Sequence, residues 1–326
     1  MERSKPMYGN GGTDGRVAIA VDFGGTNIKL GLVRQGQVVS RASLPSYSDQ
    51  GLIGRLPAVE REIGRLLAER RLRPSDCAGL GIATPGMVDA EKGTILSINE
   101  KYADAVGFSF RDWARGAFDL RCVLENDARA ALLGEIAYGA AVGETDAVLL
   151  TFGTGIGTAA VMNGRIVRGR HAQAGILGGH FATDIRGNAC NCGNTGCLEA
   201  QAGHWALPAL AKRHPGFAGS SLSRHGSLGY REIIEAAGSG DRVGAELLET
   251  LVAHWSAGIV NMIHAYDPET VVLSGGLMKS QAVLVPMLQE KVRQRSWTPW
   301  GEVKIVVSRD PDASVLWGLA SLLNPK

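Results

Sequence analysis

One pattern occurs twice in this chain and limits what it can fold into. Val17 to Phe23 (VAIAVDF) is a short apolar run with β-branched residues, which reads as a strand ending in the turn Gly24-Gly25-Thr26. A second strand over Ile28 to Val33 and a turn at Gln35-Gly36 return the chain through Val38-Val39. At Ala147 the pattern starts again. Ala147 to Phe152 is a strand, Gly153-Thr154-Gly155-Ile156-Gly157 a turn, and Thr158 to Met162 a strand that an Asn163-Gly164 hairpin turn joins to Arg165 to Val167. The copies begin about 130 residues apart, which reads as a duplication at domain scale. Between and after them, helical spacing runs from Leu52 to Leu67, and Gly79 to Ala83 is a buried strand. An Ala-rich helix spans Ala128 to Ala137, and longer helices lie near Val243 to His264 and Gln281 to Arg295. Strands at Thr270 to Leu273 and Val303 to Val307 and a last helix over Ser314 to Leu323 complete an α/β alternation without long linkers.

Bulk properties exclude several classes. The 326 residues suffice for two domains, and a net charge of +2 gives no general attraction to nucleic acid or anionic membranes. No apolar run approaches the ~18 residues a membrane span needs. The first 16 residues lack the apolar core of a signal peptide and read as a disordered tail, so a cytoplasmic location is expected.

Glycine after a strand lets backbone amides approach an anion closely. The two turns Gly24-Gly25-Thr26 and Gly153-Thr154-Gly155, repeated in the same context, therefore point to a nucleotide's phosphates. Asp22, just before the first turn, suits Mg²⁺ held through water, and Thr26 and Thr154 offer hydroxyls. Neither turn fits the P-loop or the dinucleotide fingerprint. Gly275-Gly276 is either a third ligand-facing turn or a plain strand end. Asn126-Asp127, at a strand-to-helix junction, reads first as a helix cap. A carboxylate there also suits a base that accepts a proton from a substrate hydroxyl.

Cys190, Cys192 and Cys197 lie within eight residues, with Gly193 and Gly196 between them. A reducing cytosol and this spacing favour zinc over three buried thiols or a disulfide with a spare cysteine, and His180 is the nearest fourth ligand. Such a closed donor set leaves no position for a catalytic water, so the metal is structural.

These motifs together resemble the ROK family, bacterial sugar kinases and related repressors with the two-domain actin-like (ribonuclease H-like) ATPase fold. The resemblance runs through Asp22-Phe23-Gly24-Gly25-Thr26, Gly81 to Asp89 with its Pro85-Gly86, Glu125-Asn126-Asp127-Ala128, Gly153 to Gly157 and Cys190 to Glu199. It implies Asp127 as general base on a sugar hydroxyl, with Pro85, Gly86, Asn126, His180 and Glu199 on the substrate side. His180 would serve zinc and sugar through its two ring nitrogens, and Glu199 would meet the sugar near its anomeric end. ATP with Mg²⁺ would engage Asp22, Gly24, Gly25, Thr26, Lys29, Gly153, Thr154, Gly155, Gly275 and Gly276. Zn²⁺ would take His180, Cys190, Cys192 and Cys197. A homodimer or tetramer is expected, with residues 17–131 and 312–326 forming a small domain and 132–311 a large one. The repressor branch carries an N-terminal helix-turn-helix, and here only a short polar tail precedes Val17.

One departure stands out. The family's A-G-E-x-G-H becomes Ala174-Gly175-Ile176-Leu177-Gly178-Gly179-His180, without the acid and with one extra residue. An apolar residue in place of an acceptor changes specificity strongly, so an N-acylated, deoxy or otherwise altered sugar is expected. A sugar-dependent kinase leads over a sugar-binding regulator with vestigial catalysis. A filament-forming ATPase comes third, because it leaves the cysteine segment without a role.

Overall fold

The repeated strand–turn–strand copies become the centres of two sheets. The computed structural model describes residues 15–98 and 101–323, so most of the predicted tail lies outside the described residues. In chain order come β1 (Val17–Phe23), β2 (Asn27–Arg34), β3 (Gln37–Pro45), α1 (Leu56–Glu69), β4 (Cys77–Thr84), β5 (Met87–Asp89) and β6 (Thr94–Ser97). Then follow α2 (Phe110–Phe118), β7 (Cys122–Asn126), α3 (Asp127–Tyr138), β8 (Ala147–Phe152), β9 (Ile156–Met162), β10 (Arg165–Ile166), α4 (Leu198–Ala202) and α5 (Leu207–Arg213). The chain ends with α6 (Tyr230–Gly238), α7 (Arg242–Tyr266), β11 (Thr270–Gly275), α8 (Gln281–Arg295), β12 (Lys304–Val307) and α9 (Pro311–Leu323).

The sheets have orders β3-β2-β1-β4-β7 and β10-β9-β8-β11-β12, which correspond position for position. β1 runs antiparallel to β2 and parallel to β4, and β4 runs parallel to β7. In the second sheet's hairpin, Asn163 (φ 51°) and Gly164 (φ 72°) both adopt the left-handed conformation that a two-residue turn requires. The chain divides into two compact units. One holds the chain up to Ala147, Ala160–Ala174 and everything from Ser308; the other holds Val148–Ala159 and Gly175–Val307. Among the described residues no helix is long and apolar enough to cross a membrane.

In the first unit, α1 buries Leu56, Val59, Ile63, Leu66 and Leu67, one face at helical spacing, in the cluster that contains β1, β2 and β4. The regular helix begins four residues later than the periodicity predicts. Pro57 sits in its first turn, where a residue without an N–H and with a preset φ fits, and Ile53–Arg55 form a separate 3-10 turn. Two unpredicted helices, α2 and α6, start from local caps: the Ser109 hydroxyl takes the Asp112 N–H, and Glu232 takes the Gly229 N–H.

α3 and α9 cross in backbone contact. A Cβ on Gly134 would overlap the Ser314 carbonyl, and one on Gly318 would overlap that of Ala130. Buried Glu135, from α3, accepts a hydrogen bond from the Ser314 hydroxyl beside this crossing. Gly134→Ala forces the helices apart and should cost roughly 1–3 kcal/mol or more. Urea unfolding reads this, and an unchanged midpoint would refute the close crossing.

Candidate active site

Within the first unit, the predicted residues collect at the carboxyl ends of the parallel strands β1, β4 and β7, a usual place for ligands in α/β sheets. Asp22 pairs in register with Ala83, and Ala83 with Glu125, so Asp127 begins its helix two residues beyond this row. Asp22 is buried. Burial first, and the Asp127 carboxylate next, push its pKa up to about 7. Lys29, its register partner on β2, pulls the other way, but the Lys29 ammonium is bound to Asp312 at 2.6 Å.

Asn126 serves as the cap and also does more. Its Oδ1 accepts the Arg129 N–H at 3.1 Å, and its Nδ2 donates to the Gly86 carbonyl at 3.1 Å. One side chain thus joins the Pro85-Gly86 loop to the start of α3. Asp127 lies in the first turn of α3, half-buried, and accepts its neighbour Ala128's N–H at 2.8 Å. Burial raises its pKa, while the Ala128 N–H and then the Lys101 ammonium oppose the rise. Glu125, fully buried, accepts the Asn126 N–H at 2.9 Å and is bridged by Arg168. Arg129, also fully buried, donates to the carbonyls of Ala172 and Ala174 at 3.1 and 2.8 Å. Asp127 is therefore set on a helix start braced from both sides.

The first glycine turn is held through its carbonyls. The Tyr102 hydroxyl donates to Gly24 O at 2.8 Å, and the Ser46 and Ser48 hydroxyls donate to Gly25 O at 2.7 and 2.8 Å. The Ser46 N–H bonds Thr26 O at 3.1 Å. Sequence reasoning missed all three residues. Ser46 and Ser48 carry no motif, and Tyr102 comes from 78 residues away.

The second unit holds the other glycine turns. Gly153 N–H bonds Gly155 O at 3.0 Å. Glu199 braces this turn, accepting the Ile156 N–H at 2.6 Å and the Trp205 indole N–H at 3.2 Å. A side chain on Gly155 would collide with the Glu199 carboxylate, which explains the glycine. At Gly275 (φ 91°) a Cβ would strike the Phe152 backbone, so this glycine lets β11 close on β8, while Gly276 lines a pocket. The pocket, about 340 Å³, is also lined by Gly153, Thr154, His204, Tyr230 and Arg231. Its wall is stiff, because the Tyr230 hydroxyl donates to Ala202 O at 3.1 Å and its ring meets His204 and Trp255 edge-on at 5.2 and 5.5 Å.

His180, Cys190, Cys192 and Cys197 place one ligand atom each within 4.8 Å of all the others. His180 Nδ1 is 3.6 Å from Cys190 Sγ, and Cys192 Sγ is 3.6 Å from Cys197 Sγ. Bonds of about 2.0–2.3 Å in a tetrahedron put ligand atoms roughly 3.3–3.8 Å apart, so the donor set fits zinc. The sulfurs are too far apart for a disulfide. Left-handed Gly193 (φ 90°) and Gly196 (φ 75°) allow the tight loop, which Cys190 N–H closes onto Asn194 O at 2.8 Å.

The Ile176-Leu177 departure is absorbed in a 3-10 turn over Gly178–His180. The Thr158 hydroxyl donates to Gly175 O at 2.7 Å and accepts the Gly178 N–H at 2.8 Å. A Cβ on Gly178 would press on Met262 and Thr158, and one on Gly179 on the Ile156 carbonyl. Leu177 is left 38% exposed, and Ile176 and Leu177 are both apolar in the segment that departs from the family motif.

The ROK family model matches residues 18–326. This chain belongs to the ROK family. It is 29% identical over 280 residues to a glucokinase of Halalkalibacterium halodurans, covering 83% of this chain and 84% of that one. A ROK family glucokinase from Streptomyces griseus, solved in complex with glucose and AMPPNP, superposes with a TM-score of 0.76 at 25% identity, covering 94% and 98%. A xylose repressor of Caldicellulosiruptor bescii is 28% identical over 256 residues, covering 77% of this chain and 63% of the repressor. This ROK chain therefore has the two-domain actin-like ATPase fold, and its relatives include both sugar kinases and regulators.

Proposed function

We propose that this protein is an ATP-dependent sugar kinase that phosphorylates a primary hydroxyl of a hexose or hexose derivative. One observation carries the reading: half-buried Asp127, its pKa raised by desolvation, stands at a braced helix start and interacts with a buried acid, Asp22. A base whose pKa is drawn towards neutrality is better matched to accept a hydroxyl proton. The hydroxyl oxygen attacks the γ-phosphorus, its proton passes to Asp127, and the bond to the β-phosphate oxygen breaks to release ADP. Asp22 is a buried acid whose cross-strand cation is turned to Asp312, a setting that suits Mg²⁺, which supplies charge neutralisation on the phosphates when bound. The pocket beside Gly153 and Gly276 is of a size to take the nucleoside part. Glu199 braces the Gly153–Gly155 turn on this reading, and a sugar contact at its free lone pairs is compatible with that role. The Cys3His cluster holds structural zinc. A cytoplasmic location and a homodimer complete the proposal.

The substrate is proposed to carry an apolar or acyl substituent, because Leu177 presents hydrocarbon and no carboxylate in the 176–179 segment. The test is ATP consumption screened across hexoses, N-acetylhexosamines and their epimers. ADP release that depends strictly on a sugar is expected. A regulator of the same family is the second reading, favoured only by the missing acid. Sugar-induced thermal stabilisation with no ATP turnover across the whole panel would establish it and overturn the kinase.

A further inference from the structure

Lys29 was the cation expected at the first glycine turn, and it is engaged elsewhere. A different lysine lies on that turn. A Cβ built on Gly25 would fall 2.5 Å from Lys101 Nζ, 3.0 Å from its Cε and 3.2 Å from its Cδ. The last three atoms of the Lys101 side chain therefore rest on Gly25, and glycine is what makes room for them. The next residue anchors this arrangement. Tyr102 is fully buried, its N–H bonds Ser48 O at 2.8 Å, and its hydroxyl bonds Gly24 O at 2.8 Å. Its ring packs edge-on against Phe23 at 6.0 Å, directly before the turn. The lysine and the turn are thus joined by one rigid neighbour. The Lys101 charge also reaches the Asp127 carboxylate and favours its ionised form.

Phosphoryl transfer needs positioning and cations at the oxygens where negative charge gathers. We propose that Lys101 is a catalytic residue whose ammonium, seated on the Gly24-Gly25 turn, contacts the transferring phosphoryl group and stabilises its charge. The turn then supplies a flat floor, and the lysine, not a P-loop, supplies the cation. This rests on the kinase reading, with one arm of the test independent of it.

The variant Lys101→Met keeps most of the hydrocarbon that packs on Gly25 and removes the charge. With the sugar found in the screen, kcat is expected to fall roughly 10²–10³-fold with the sugar KM changed less than about threefold. Lys101→Arg should recover part of the loss. The second arm uses no sugar: calorimetric titration with Mg·ATP and with Mg·ADP. Wild type should prefer ATP, and Lys101→Met should lose that preference by about tenfold while keeping its affinity for ADP. Wild-type kcat in Lys101→Met, equal weakening towards ATP and ADP, or no ATP preference in the wild type would each overturn the assignment. A wild type inactive with every sugar defeats the kinase reading, and the titration still decides the role of Lys101.

Discussion

Asp127→Ala is expected to lose roughly 10²–10⁴ in kcat for sugar phosphorylation while still binding ATP. The carboxylate stands in the first turn of α3, and Asn126, Glu125 and Arg129 brace that turn against two loops. The Asp127 carboxylate accepts its own neighbour's N–H, and the bonds of Asn126 to Gly86 and to the Arg129 N–H are made by other atoms. The variant should therefore fold and fail only in chemistry. Full phosphorylation by the purified variant would sink the assignment of the base. The same variant has a pH signature. Asp22 and Asp127 both have raised pKa values, Asp22 up to about 7, so the folded protein retains protons that the unfolded chain releases near pH 4. Stability contributed by these groups consequently falls as pH rises from about 4 to about 7, where buried Asp22 and half-buried Asp127 become charged together. Removing Asp127 relieves that repulsion. The melting temperature of Asp127→Ala relative to wild type should rise between pH 5 and pH 8, and a constant difference would refute the coupling. Wild-type activity runs the opposite way, because the base works ionised: kcat/KM should decline on the acid side above the ordinary carboxylate range.

Cys197→Ser is expected to lose the metal and a large share of stability in the second unit. Cys197 is buried, precedes α4 and forms a bridge with Ala182, and Leu198 N–H bonds Phe181 O at 2.8 Å. A metal in this cluster would thus hold the start of α4, and α4 carries Glu199 to the Ile156 N–H. Structural zinc contributes on the order of 10 kcal/mol in small domains. Here neighbouring packing keeps part of the loop in place, so a fall of roughly 5 °C or more in Tm is the expected scale. Elemental analysis should find one zinc per wild-type chain and none in the variant. Protein purified without chelator that contains no zinc would overturn the site. Because Glu199 braces the Gly153–Gly155 turn, zinc loss should also weaken ATP binding, which a purely peripheral clip would leave intact.

The sequence by itself determined whatever depends on backbone conformation or short spacing. Gly24, Gly25 and Gly155 announce turns because a Cβ at each would meet a neighbouring atom too closely, and the cysteine spacing announces a cluster because a short Gly-rich loop can fold the thiols to one point. The Asn126-Asp127 junction was legible for the same reason, being a strand end and a helix start at once. The tertiary structure alone decided which distant side chains complete these pieces. Ser46, Ser48, Lys101 and Tyr102 reach the first turn, Tyr230 and His204 wall the pocket, and Glu199 turns to the Ile156 N–H. Lys29 and Lys101 show the limit most plainly. By residue type they are the same cation, and Lys29 is nearer the turn in sequence. Lys29 is captured by Asp312 at the first turn of α9, and Lys101 is delivered to Gly25 by the anchor of its neighbour Tyr102. Contacts between segments far apart in the chain follow from packing, which no local periodicity encodes.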